Sequence, residues 1–399
     1  MPSVVLCLHA HLPLQLKKFS FFDIGHSPDY FDGEESRRVL GRMAKDCYLP
    51  INAALLKLIR RYRGRFKVSC SVSGMLLEQL EEEQKAVLTS FRRLADTGHV
   101  EFLSEPYHHS LASLFSENEF REQVALQRRK VRTLLGKMPR TLRNTGLLYG
   151  NDVARIAESM GFRVILAGGA GRVAGCDTTS TWRPAGCRKL TVLFGHDRLA
   201  GELALRDAGD AGNGQALRAG ECARRLAAGY QGEEMINLFA DYGNFGEHYR
   251  NETGTLDFLE AVPAILLKHR NWRFLTPSDA AADHEPADKI DVPGHISRAD
   301  TGKDSSMAWL GNHMQKDAAR SLYALEAKAR ETKNRKRIGV WRDLQASENF
   351  YRMNTTGLSN GAPCRDFHPF ASPYDAYIGY MNILNDFSGR LAGKTGVRT

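Results

Sequence analysis

Short runs of consecutive apolar residues alternate along the chain with longer stretches whose apolar residues recur every three or four positions. "SVVLCLHAHL" reads as a buried strand ending in polar residues, as strands of parallel sheets do. A helix is predicted across "YLPINAALLKLIRRYRG", then a strand, "FKVSCSVSG", and a helix, "MLLEQLEEEQKAVLTSFRRLADTG". "HVEFLSE" is the next strand. The next helix is "SENEFREQVALQRRKVRTLLG", with Ser116 as N-cap ahead of Glu119. The alternation continues through "TLRNTG", "NDVARIAESMG", "FRVILAGG", "KLTVLFG", "EMINLFADYG", "GTLDFLEAVPAILLKH" and "RFLTP". About seven βα units in roughly 275 residues predict a parallel β/α barrel, complete or nearly so. A doubly wound sheet is the alternative, but no GxGxxG turn follows the first strand.

Residues 279–292, "DAAADHEPADKIDV", lack apolar periodicity and are expected to be a linker. Beyond about 303 the pattern is helical without strands, ending in "SPYDAYIGYMNILNDFSGRL" with Ser372–Pro373 as a helix start. The expected division is a barrel at 1–285 and a helical bundle at 286–399. The Gly/Ala/Arg-rich piece 207–232 is expected to contain a loop.

Composition narrows the partners. The 55 Lys+Arg against 46 Asp+Glu give +9, but the basic residues are scattered and no nucleic-acid motif accompanies them. Nucleic acid is therefore not expected as a partner. Seven cysteines, none with CxxC spacing, suit a reducing compartment. His9 and His11 interrupt the opening apolar run, which makes it a poor signal peptide, and no run of about 18 apolar residues exists. The protein reads as cytoplasmic, without membrane association.

A β/α barrel places its chemistry at the C-terminal ends of its strands. Those ends carry His9 and His11; Ser71, Ser73 and Gly74; Glu105, Tyr107, His108 and His109; Arg143 and Asn144; and Asp241, Tyr242, Glu247 and His248. His9 and His11 flank one residue and so share a face of their strand, as a two-His metal pair would. Spacing supplies no third ligand, so sugar-hydroxyl or structural hydrogen bonding is the expected role and no metal or cofactor is expected. His108 and His109 point apart, so at most one faces the site. Asp241 ends an apolar run, where a carboxylate needs a partner.

"HAHLP" (9–13), "SVSG" (71–74), "EFLSEPYHHSL" (101–111), "RNTGLLYGNDVA" (143–154), "FADYGNFGEH" (239–248) and "AWLGNHMQ" (308–315) occur in that order. Together with "LQASENFYRM" (344–353) and the last helix, they resemble glycoside hydrolase family 57, in its branch of α-amylases and α-amylase-like homologues. The resemblance implies an incomplete seven-stranded (β/α) barrel followed by a C-terminal helical bundle that completes the cleft. It implies a retaining mechanism on α-glucans with two carboxylates about 5 Å apart. Asp241 matches the family's acid/base. The family's nucleophile is a Glu, and Gly146 stands in its place.

His9, His11, Glu105, His109, Arg143, Asn144, Tyr242, His248, Trp309 and Glu348 are the implied substrate-binding residues. Two further departures lie nearby: Gly243–Asn244 where the branch has an acid and a Thr, and Glu348–Asn349 where it has an Asp–His pair. Trp309, Gly311 and Asn312 keep the framework. The reading is an α-amylase-like protein that binds α-glucan or maltooligosaccharide with lost or strongly reduced hydrolysis. An active hydrolase or 4-α-glucanotransferase with another nucleophile, or a regulatory protein that binds no sugar, are the alternatives. If the rest of the site is preorganised, Gly146→Glu is expected to restore some hydrolysis.

Overall fold

The computed structural model describes residues 1–196, 224, 228, 235–245, 255–269, 271–297, 307–355 and 369–393. Its strands are β1 (Ser3–Ala10), β2 (Val68–Val72), β3 (Val100–Leu103), β4 (Thr141–Arg143), β5 (Val164–Ala167), β6 (Thr181–Pro184), β7 (Thr191–Phe194), β8 (Met235–Asp241), β9 (Arg273–Leu275) and β10 (Lys289–Ile290).

All eight residues of β1 are buried, so the strand needs partners on both edges and cover on both faces. β8 runs parallel along one edge from Ser3↔Met235 to His9↔Asp241. The other edge is shared: β2 pairs with Cys7–Ala10 and β9 with Ser3–Val5. β3 continues beside β2. The Ser104 N–H bonded to the Thr141 carbonyl, and the Arg143 N–H bonded to the Ser104 carbonyl, carry the sheet on to β4. β5 and β7 follow in parallel, and the His196 N–H donates to the Asn237 carbonyl of β8. Among the described residues β1–β5, β7 and β8 thus close the barrel as seven parallel strands, with β9 added beside the start of β1 and thin seams at β3/β4 and β7/β8.

Alternation decides which side chains fill it. Val5 and Cys7 of β1 point inward with Leu103, Val164, Leu166, Leu193, Met235 and Phe239. Val4, Leu6 and Leu8 point outward against helices that include Leu49–Tyr62 and Lys85–Asp96. Ser116 does cap the helix Glu117–Leu135, accepting the Glu119 N–H at 3.2 Å. Ser372 caps Pro373–Leu391 in the same way.

The expected linker at 279–292 is largely structured. Thr276 and Asp279 form a reciprocal capping box that starts the helix Pro277–Asp283. Lys289–Ile290 pairs with β6, and Ile296 pairs with Tyr149. Period-based reading misses such short elements because neither spans two turns of its own pattern. Most of the 207–232 piece lies outside the described residues. Among the described residues no helix is long and apolar enough to cross a membrane.

The C-terminal helices share a core with the β4–β5–β7 side of the barrel, where Trp341 is fully buried and donates its indole N–H to the Leu322 carbonyl at 2.9 Å. A charged cluster reinforces the junction. Glu119 has no exposed surface; it accepts from Arg330 at 2.6 Å and from Arg342 at 2.8 and 2.9 Å. Glu122 contacts both arginines. Removing Glu119 takes the buried anion from between two part-buried guanidinium groups and leaves them only the more exposed Glu122 and Glu326. Glu119→Ala is therefore expected to cost about 3–5 kcal/mol in urea unfolding. Glu117→Ala, at an exposed pair on the same helix, is expected to cost under about 1 kcal/mol.

Candidate functional site

Register brings the strand-end residues together. His9 lies opposite Ser71 on one side and Asp241 on the other, and Glu105 follows β3 two residues beyond Leu103. Glu105 has no exposed surface and collects three donors. Its Oε1 accepts the Ser71 hydroxyl at 2.6 Å, and its Oε2 faces His9 Nε2 at 3.0 Å and His109 Nδ1 at 3.1 Å. Burial alone would raise its pKa, but the His9 and His109 contacts hold its carboxyl well below the ordinary range.

His9 Nδ1 faces Asp241 Oδ1 at 3.0 Å, so both ring nitrogens meet carboxylates and the ring is an imidazolium when both acids are ionised. Burial and the Arg143 guanidinium oppose that charge; Glu105 and the bond to Asp241 outweigh them, and the pKa of His9 is raised. Arg143 Nη2 lies 3.5 Å from Asp241 Oδ1. The Asp241 side chain keeps 47% of its surface exposed and faces the opening. Burial and the nearby His11 push His109 down to about 4, so it stands neutral at pH 7.

His11 belongs to a second set. Its Nδ1 faces Ser73 Oγ at 2.7 Å, and its Nε2 faces Glu348 Oε2 at 3.1 Å. Despite some burial, His11 holds the Glu348 carboxyl at about 2. His109 stacks on both neighbours, 4.7 Å from the His9 ring and 4.5 Å from His11. His9 and His11 thus do not act as one pair. Across a strand end that spreads their rings 6.3 Å apart, each takes different partners. The ligand atoms that do lie within 4.8 Å of one another are those of His9, Glu105 and His109. His108 faces Asp343 instead, at 3.2 Å.

The centre of "RNTGLLYG" is a tight turn. Asn144 Oδ1 accepts the Thr145 N–H at 2.9 Å, and its Nδ2 donates to Ser113 Oγ and the Leu148 carbonyl. Gly146 sits at φ 58°, and Leu147 also has positive φ. A Cβ built on Gly146 would lie 2.0 Å from Cη2 of Trp309. The indole covers the glycine and is itself 7% exposed. Gln315 sets that indole's helical corner: its amide donates to the Ala308 and Phe350 carbonyls, and its Oε1 accepts the Gly311 and Asn312 N–H groups.

Two implied contacts need correction. Asn144 has no exposed surface because its amide is committed to the turn, so it shapes the rim without facing it. Tyr242 is 1% exposed, packed against Tyr48 and Phe91, with its hydroxyl on Asn52; its ring lies on the outer side of the barrel wall. His248 and Glu247 lie outside the described residues. Sequence reading missed Gln123 and Gln127. Gln127 accepts the Glu105 N–H and the Ser104 hydroxyl, and Gln123 accepts the Ser110 hydroxyl. Their signal was the row Glu119, Gln123, Gln127, polar residues four apart on the apolar face of one helix.

The family profile described as "Glycosyl hydrolase family 57" matches residues 5–293. A Methanocaldococcus jannaschii protein named "Putative alpha-amylase" is 34% identical over 377 residues, covering 90% of this chain and 78% of that protein. The fold is similar to that of a branching enzyme from Thermococcus kodakaraensis, with TM-score 0.70 at 16% identity, covering 98% of this chain and 90% of that one. It is also similar to a 4-α-glucanotransferase from Thermococcus litoralis, with TM-score 0.68 at 13% identity. That match covers 95% of this chain, which spans only 59% of the glucanotransferase. At such identities the likeness of the solved structures concerns the fold alone.

Two outcomes are expected from the geometry. Gly146→Ala is expected to cost about 2–4 kcal/mol from its left-handed backbone and the indole overlap. In a Trp309→Ala background the backbone part alone remains, about 1–2 kcal/mol; equal losses in both backgrounds would contradict the contact. The second concerns pH. A depressed folded pKa stabilises above the unfolded value of about 4.3 and loses that contribution as pH falls toward about 2. Glu348→Gln is expected to remove about 1–3 kcal/mol of acid sensitivity between pH 5 and 2, read from urea midpoints.

Proposed function

The chain belongs to glycosyl hydrolase family 57, and from that premise we propose that it is an α-amylase-like protein whose cleft binds α-glucan with hydrolysis lost or strongly reduced. One observation carries the reading: the indole of Trp309 lies against Gly146, the position at which the family's attacking carboxylate is expected. A retaining glycosidase needs that carboxylate on the opposite face of the sugar from its acid/base, about 5 Å away. Glycine supplies no nucleophile, and the space its side chain would enter is filled.

The remaining carboxylates support the same conclusion. Asp241 is exposed, gripped by His9 and Arg143, and is the acid/base position. Glu105 has no exposed surface and is saturated by Ser71, His9 and His109. Glu348, at a pKa of about 2, is a weak proton acceptor, since general-base strength falls with pKa. What persists is a row of hydrogen-bonding groups suited to sugar hydroxyls: Asp241, Arg143, His11 and Glu348. The names of the relatives, an amylase, a branching enzyme and a glucanotransferase, favour an α-glucan or maltooligosaccharide as the bound chain.

A second reading has its own observation. Glu348 keeps 30% of its side chain exposed beside His11, so an inverting or transferase reaction would have to draw its second carboxylate from there. The roles separate in one set of assays. Maltoheptaose is expected to bind in calorimetry while release of reducing ends stays at background. Turnover near that of ordinary amylases, abolished by Asp241→Asn or Glu348→Gln, would overturn the proposal in favour of the second reading. Failure to bind would favour a regulatory protein without sugar. Gly146→Glu alone is now expected to restore nothing, contrary to the expectation from sequence. Any recovery requires Trp309→Ala in the same chain.

A further inference from the structure

We propose that His9, Glu105 and His109 form a binding site for one divalent transition-metal ion, zinc being the best match, at the floor of the cleft. Their ligand atoms lie within 4.8 Å of one another, with Glu105 Oε2 3.0 Å from His9 Nε2 and 3.1 Å from His109 Nδ1. Two imidazoles with one carboxylate are a zinc donor set, which takes its ion about 2.0–2.2 Å from each ligand atom.

The far sides of two ligands are already held. Asp241 takes His9 Nδ1 at 3.0 Å and fixes the ring, so that Nε2, which faces Glu105 Oε2 at 3.0 Å, would coordinate once an ion displaces its proton. Ser71 holds Glu105 Oε1 at 2.6 Å, turning Oε2 inward. His109 carries its ring on a left-handed backbone, φ 51°, kept there by the Ser347 N–H on its carbonyl. Strained non-glycine backbone gathers where a side chain must be aimed. All three ligands are buried, while Asp241 beside them is half exposed. The inference does not depend on the α-glucan reading.

The test uses the full chain, stripped with chelator and titrated with zinc chloride in calorimetry, with bound metal counted by mass spectrometry. One equivalent is expected at roughly micromolar affinity or tighter. His109→Ala is expected to lose that equivalent and His108→Ala to keep it, each checked for folding by its melting curve. Asp241→Ala, which removes the acceptor that orients His9 together with a partner of Arg143, is expected to weaken binding about 10–100-fold. Absence of a stoichiometric ion in the folded wild type, or retention of it in folded His109→Ala, overturns the site.

Discussion

Glu105 has no exposed surface, and a carboxylate so placed keeps its charge only while donors surround it. That requirement organises the barrel mouth. Ser71 reaches it from β2, His9 from β1, and His109 folds back through a strained backbone to supply the third donor. Once His9 is bound there, its other nitrogen meets Asp241, and the charge of the buried acid is coupled to the exposed one. Gln127 completes the arrangement from behind through the Glu105 N–H. No member moves without leaving a buried polar group unpaired.

The second constraint is steric. Gly146 and Trp309 lie 163 residues apart in the sequence, one in the barrel and one in the helices beyond it, and they meet in van der Waals contact. The turn at 144–147 exists because Asn144 closes it and glycine accepts its left-handed backbone. The indole reaches the glycine because Gln315 holds the corner 308–312 by four hydrogen bonds. The same contact joins the barrel to its C-terminal helices and fills the space beside Gly146.

Much of this was legible in the sequence. The strands followed from apolar runs, as at Ser3–Ala10, and the caps at Ser116 and Ser372 followed from residue type. That His9, His11, Glu105, His109, Arg143 and Asp241 lie together at the barrel mouth followed from their place at strand ends, because a barrel presents its chemistry there. Tyr242 and Asn144 were misread for a related reason. Adjacent residues leave a strand in opposite directions, so a motif names neighbours in sequence without saying which of them faces the opening.

What the sequence determined by itself was local: periods of two and 3.6, capping residues, and a glycine where a carboxylate is expected. What only the tertiary structure decided was pairing at long range. His9 takes Glu105 and Asp241, 96 and 232 residues away, while His11, two residues along, takes Glu348 at a separation of 337. Trp309 likewise finds Gly146 only after the helices pack on the barrel. Local preferences are set within a few residues of backbone, whereas side-chain partners are set by burial, which leaves each polar group only the neighbours that packing delivers.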